Sequence, residues 1–163
     1  MTMIDTETAK AAVVVRSDEG ETLRWGPVGK IRILAGASST DRSFSVVECM
    51  EPPGSGAPLH VHHGEAEAFF MLEGTVELTC GSETVTVLPG DFIYAPKDVA
   101  HKFTVVGDKP ARLLMMFSRP GFERFFAEGG SPMDQPPAGP PDPGALRRLV
   151  EKYGMELLEA PAH

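Results

Sequence analysis

A chain of 163 residues with 42% apolar and 23% charged residues has the composition of one folded domain, long enough for a sizeable core and too short for two ordinary domains. Its formal net charge of -8 and the absence of any basic stripe exclude a surface built to hold phosphate backbones, so no nucleic-acid partner is expected. No apolar run approaches the roughly 18 residues of a membrane span, and the opening MTMIDTETAK lacks the basic start and apolar stretch of a leader, so a cytoplasmic protein acting on a small molecule is expected.

In chain order, residues 11–118 are a succession of short β-rich runs: AAVVVR, TLRW, KIRILA, SFSVVECM, EAFFMLEG, TVELTC, ETVTVL, DFIYAP, HKFTVV and ARLLMMFS. Gly, Pro, Asp and Ser separate them, which is the spacing of a sandwich or barrel. In TVTVL, Val85 and Val87 share one face and Thr84 and Thr86 the other, as a half-buried strand requires. LLMMF at 113–117 is apolar throughout and is expected to be covered on both faces. Cys49 and Cys80 are read as free, buried thiols, because a reducing compartment disfavours pairing them.

After Ser118 the period changes. Phe122, Phe125 and Phe126 fall at helical spacing, as do Leu146, Leu149, Val150 and Tyr153, predicting two short helices. The second has Asp142 as N-cap, Pro143 at its first position and Gly154 as a stop. A proline-rich connector over 131–144 separates them. Residues 119–163 are thus expected to extend the 11–118 barrel core within a single domain. The helices are expected to pack on the barrel exterior, with a lid or a dimer contact as the alternative.

Four of the five histidines fall in two segments: His60, His62 and His63 in one, His101 in the other. Side chains two apart on a strand point the same way, so His60 and His62 can present imidazoles together into the barrel while His63 points outward. Glu67 follows at a distance that permits a turn and the start of the next strand. A fourth ligand can come from His101, in PGDFIYAPKDVAHKF. Imidazole nitrogen and carboxylate oxygen suit one divalent transition metal, whether Mn, Fe, Co, Ni, Cu or Zn. Glu67 is either a ligand alone or a ligand that also takes a proton from substrate. Glu65, on the turn, is expected to face solvent. By alternation from Glu67 and His101, Phe69, Met71, Phe103 and Val105 face inward and outline an apolar pocket. Phe92 and Tyr94 either join that substrate-binding lining or belong to the ordinary core.

The residues Gly54, His60, His62, Glu67 and Gly74 match the first motif of the cupin superfamily, and Gly90, Pro96 and His101 match the second. Asp98 stands where the second motif has a later glycine, and Val105 where it has asparagine; Asp tolerates the left-handed turn that the glycine would supply. The chain resembles small bacterial cupins described as quercetin 2,3-dioxygenase-like in PLHVHHGEAEAFFMLEG, PGDFIYAPKDVAHKF and PGFERFF. The resemblance implies an all-β fold, the double-stranded β-helix or jelly-roll barrel, here with a short C-terminal helical extension. It further implies a metal held by three His and one Glu, and a homodimer. The activity it implies is metal-dependent dioxygenation of a flat enol- or phenol-type aromatic or flavonoid-like molecule, with dioxygen as co-substrate. The alternatives are an oxygen-independent isomerase, cyclase or decarboxylase at the same metal, and a non-catalytic binding protein.

Overall fold

Alternating side chains and punctuating glycines build twelve strands and two helices among the residues that the computed structural model describes, 12–135 and 142–158. Residues 1–11, 136–141 and 159–163 lie outside them, and with them Ala11 of the first β-rich run, the middle of the proline-rich connector and His163. The strands are β1 (Glu21–Trp25), β2 (Gly29–Ala35), β3 (Ser45–Glu51), β4 (Gly56–His62), β5 (Glu67–Glu73), β6 (Val76–Cys80), β7 (Glu83–Val87), β8 (Phe92–Ala95), β9 (His101–Val105), β10 (Ala111–Phe117), β11 (Ser131–Pro132) and β12 (Met155–Leu157). The helices are α1 (Glu123–Gly129) and α2 (Pro143–Lys152).

They form two antiparallel sheets. One has seven strands in the order β11-β1-β2-β3-β10-β5-β8, the other five in the order β12-β4-β9-β6-β7. The inner faces meet over a core in which Ile31, Val47, Phe69, Met71, Leu113 and Phe117 of the first sheet oppose Val76, Leu78, Phe103 and Val105 of the second. This is the all-β sandwich or barrel expected from the runs, in the jelly-roll form that the motif resemblance implies. No helix of the described residues is long and apolar enough to cross a membrane.

Turn chemistry holds the layers in register. Gly74 sits at φ +78, and a Cβ there would lie 2.5 Å from the Pro110 carbonyl oxygen, so only glycine admits the close approach of the β10 entry. Asp98 takes φ 65 in place of the motif glycine. Its amide donates to the His62 carbonyl at 2.9 Å and its carboxylate accepts from His63 Nδ1 at 2.8 Å, which ties the turn before β9 onto β4.

Several expectations are corrected. Residues 12–16 form no strand, and Val13, Val14 and Val15 are exposed. In β10 Ala111, Leu113, Met115 and Phe117 are buried; Leu114 and Met116 stay partly exposed, because the outer face of that strand has no second layer burying it. Cys49 is buried as expected, but Cys80 is partly exposed; both are free. The segment after Ser118 is more than a helical appendage: β11 pairs with β1, and β12 pairs with β4, setting Met155 opposite His62 and Leu157 opposite His60.

At the Ser45 end of β3, α1 packs against β1, β2 and β3, and α2 packs against α1 and β12. Phe122, Phe125 and Phe126 are all buried, stacked among Trp25, Phe117 and Tyr153 with ring centroids 4.3–6.2 Å apart. Glu123, in the first turn of α1, accepts from Ser45 Oγ at 2.6 Å and from the Ala37 amide at 3.0 Å, fastening the helix to β3 and the loop before it. In α2, Asp142 caps the Gly144 and Ala145 amides at 3.0 and 3.1 Å, Pro143 stands in the first turn and Gly154 takes φ +73, as the punctuation requires.

At the opposite end of the barrel Glu51 is buried, held by Ser55 Oγ at 2.6 Å. Burial pushes its carboxyl up to about 6, although hydrogen bonds from Ser55 and the Cys49 thiol pull the other way. The folded state therefore holds this proton more tightly than the unfolded chain. The stability it contributes is present below the ordinary carboxylate range and is lost as pH rises through about 6. Glu51→Gln, neutral at every pH, is expected to exceed wild type by about 2 kcal/mol at pH 8 and to match it near pH 4. Urea unfolding at the two pH values checks this; equal stabilities at pH 8 would refute it.

Candidate metal centre

Strand β4 and its partner β9 place His60 directly opposite His101, and the period of two puts His62 on the same inner face as His60. Glu67 opens β5 in the other sheet and points across the barrel at all three rings. His60, His62, Glu67 and His101 are buried, and one donor atom from each lies within 4.8 Å of the others. Glu67 Oε2 is 3.0 Å from His101 Nε2, 3.1 Å from His62 Nε2 and 3.9 Å from His60 Nε2. His60 Nε2 is 3.2 Å from His62 Nε2.

The ring nitrogens that face away from the centre settle the tautomers. His60 Nδ1 donates to the Pro58 carbonyl at 2.7 Å and His101 Nδ1 to the Val99 carbonyl at 2.9 Å. His62 Nδ1 donates to Glu65 Oε1 at 2.5 Å. A carbonyl can only accept, so the protons of His60 and His101 sit on Nδ1 and their neutral rings turn Nε2 lone pairs inward. The lone pairs of His60 and His101 and the Glu67 carboxylate converge with His62 Nε2 in a buried space, and they repel one another unless a positive charge, the His62 proton or a metal ion, lies between them. Donors at right angles and about 2.1 Å from a common centre are about 3.0 Å apart, close to the separations among His62, Glu67 and His101. The donor set fits one transition metal ion.

The electrostatics agree. Burial opposes charge on Glu67, but the imidazoles gathered around its Oε2, those of His101, His60 and His62, hold it well below the usual carboxylate range, so it is anionic. Burial lowers His60. At His62 burial also opposes charge, yet the Glu65 and Glu67 carboxylates push it up to about 9. Metal uptake at neutral pH therefore displaces a proton from His62.

Among the residues singled out from sequence, the four donors are brought together, and His63 points outward between Asp98 and Glu156. Glu65 does not face solvent. It is buried, engages His62 through Oε1, and has the Arg119 guanidinium 3.7 Å from Oε2. The chain bends at His63 and Gly64, so alternation carried forward from His62 fails. Counting back two from Glu67 gives the right facing and is the signal that would have found it.

Phe69 packs 6.0 Å from His101 and 6.1 Å from Phe103, and Met71 belongs to the same core. Phe92 and Tyr94 are not part of this lining: they are 60% and 59% exposed. Glu67 pairs with Ala95 and Phe69 with Ile93, so the inward residues of β8 are Ile93 and Ala95. The aromatic side chains that do reach the donors are Phe122, 5.1 Å from His62, and Phe117, 5.9 Å from it. Phe122 was expected on a helix outside the barrel.

Metal analysis checks this geometry. Reconstituted wild type is expected to hold about one transition metal per chain, His62→Ala to lose it, and Glu65→Gln to bind it roughly 10–100-fold more weakly in chelator competition. Wild type that cannot be loaded would overturn the site, and an unchanged Glu65→Gln affinity would remove Glu65 from it.

Comparison with known proteins agrees with the geometry. Residues 46–117 match the cupin domain family, a stretch that contains all four donors. The chain is 32% identical over 145 residues to the quercetin 2,3-dioxygenase of Bacillus subtilis (strain 168), an alignment covering 87% of this chain and 42% of that protein. The chain thus spans less than half of that relative. Among solved structures, a predicted oxalate decarboxylase from Thermotoga maritima superposes with a TM-score of 0.61 at 22% identity, covering 66% of this chain and 99% of that one. KdgF from Halomonas sp. does so with a TM-score of 0.62 at 18% identity, covering 69% and 99%. At those identities the two structures bear on fold alone. Fold, motif residues and family match converge, and the chain belongs to the cupin superfamily.

Proposed function

We propose that the protein is a metal-dependent dioxygenase acting on a flat, enol- or phenol-bearing aromatic molecule of the flavonoid kind, with the metal held by His60, His62, Glu67 and His101. The observation that carries this reading is the 32% identity to a quercetin 2,3-dioxygenase over 87% of the chain. A bound divalent metal would supply Lewis acidity toward a substrate oxygen and the redox partnership that dioxygen chemistry requires.

The chain's own residues supply the rest. Glu67 engages the rings through Oε2, while Oε1 is buried with no hydrogen-bond partner among the described residues. That free oxygen is placed to accept the proton of a substrate hydroxyl, giving Glu67 a role as base beside its role as ligand. Pro58, Glu65 and Val99 hold the Nδ1–H groups of His60, His62 and His101 outward and leave the three Nε2 atoms directed at the centre. Phe69 and Phe103 below and Phe117 and Phe122 beside His62 exclude water and favour a flat apolar substrate over a phosphorylated one, for which a cation in the site would be needed.

Oxygen uptake by the metal-loaded protein with quercetin as substrate tests the proposal. Substrate-dependent consumption is expected, and Glu67→Gln is expected to lower it roughly 100-fold or more with the metal retained. Turnover of substrate at full rate under strict anoxia would overturn the oxygenase reading and leave oxygen-independent Lewis-acid chemistry at the same residues.

A further inference from the structure

His62 differs from the other two histidine donors in what holds its outward nitrogen. His60 and His101 rest on the backbone carbonyls of Pro58 and Val99, whereas His62 Nδ1 donates to a side chain, Glu65 Oε1, at 2.5 Å. A carbonyl is fixed by its own chain; a carboxylate turns about its stem, so the placing of His62 depends on what holds Glu65. The Glu65 side chain is wholly buried, and among the described residues its Oε2 has no hydrogen-bond partner. A buried carboxylate oxygen left unanswered is costly. The cation facing it is the Arg119 guanidinium, with Nη1 3.7 Å away.

The backbone around Arg119 is tied down on both sides. The Ser118 amide donates to the Ala66 carbonyl at 3.1 Å and Ser118 Oγ accepts from the Ala66 amide at 2.9 Å, which fastens the end of β10 beside Glu65. Ser45 Oγ lies 3.2 Å from the Arg119 carbonyl oxygen. From there the guanidinium crosses two glycines: a Cβ at Gly64 would lie 2.9 Å from Nη1, and one at Gly154 3.8 Å from it. Gly64 is not in the left-handed region, so its backbone does not call for glycine; the space that a side chain would take there is the space that Arg119 occupies. An ion pair between two exposed groups is worth little. Here the carboxylate member is buried, and the guanidinium, 48% exposed, is the member that reaches water.

We propose that Arg119 is a positioning residue of the metal centre: it fixes the Glu65 carboxylate through Oε2, so that Oε1 holds His62 Nδ1 and His62 Nε2 stays directed at the ion. The inference rests on the reading of His60, His62, Glu67 and His101 as a metal site, and not on the reaction proposed there. The connection from His62 through Glu65 to Arg119 runs from the centre to water, so a half-exposed side chain on the segment before α1 governs how tightly the ion is held.

Cobalt(II) binding to the full chain, followed by chelator competition and by the visible d–d bands of the loaded protein, tests the proposal. Arg119→Met, folded by circular dichroism, is expected to bind cobalt roughly 10-fold more weakly and to shift those bands. Gly64→Ala changes no charge and displaces the end of a flexible side chain, and it is expected to weaken binding in the same direction. In a Glu65→Ala background, Arg119→Met is expected to change the affinity by less than about 2-fold, because the arginine acts through Glu65. Wild type that loads cobalt while Arg119→Met and Gly64→Ala match it would overturn the role of Arg119 and leave the metal site standing; wild type that takes up no cobalt would overturn both. A loss equally large in the Glu65→Ala background would also overturn the proposal, since Arg119 would then act through the fold at large.

Discussion

A carboxylate buried on one sheet faces three imidazoles buried on the other, and the barrel is organised around satisfying that confrontation. Glu67 begins β5 of the seven-stranded sheet, while His60, His62 and His101 belong to β4 and β9 of the five-stranded sheet. Buried polar atoms are costly unless they are partnered. Here the outer nitrogens are satisfied by Pro58, Glu65 and Val99, and the inner atoms are left to one another. A cation at their centre joins the two layers as well as neutralising them, so metal affinity and barrel stability are linked quantities.

The surroundings of that centre are graded from polar to apolar within one or two residues. Glu65 and Arg119 lie immediately behind His62, and Phe117 and Phe122 immediately beside it. The charged pair holds the ring from the rear, and the aromatic pair keeps water from its front. Residues 118–122, between β10 and α1, contribute to both, since Arg119 and Phe122 stand three positions apart on the same short stretch. The helical extension is thereby part of the centre's wall.

Much of this was legible in the sequence because the period of a strand is simple. His60 with His62, and the outward turn of His63, follow from alternation alone, and the motif glycines Gly54, Gly74 and Gly90 all occupy the left-handed region. Legibility failed where the backbone leaves the strand or where pairing register matters. The bend at His63 and Gly64 breaks the parity that, carried forward from His62, would have turned Glu65 outward. Phe92 and Tyr94 look like lining until β8 is registered against β5, which a single sequence does not display. Phe122 could be recognised as helical, but where a helix docks depends on long-range contacts, here with Trp25, Phe117 and Tyr153. The run at Val13–Val15 has strand propensity and finds no strand partner, a case of tertiary structure overriding local preference.

The pairing of β12 with β4 bears on how the chain assembles itself. The strand that carries His60 and His62 has β9 on one side and β12 on the other, and Gly154 and Leu59 extend the ladder through the His63 and Leu158 amides at 2.8 and 2.9 Å. During synthesis β4 emerges early but lacks its second neighbour until residue 157 has left the ribosome. Until then its outer edge is exposed, and the two histidines sit on a strand bonded on one side only. A tail that has not docked therefore leaves the histidine-bearing strand with one open edge, and the pairing that closes it joins segments far apart in the chain.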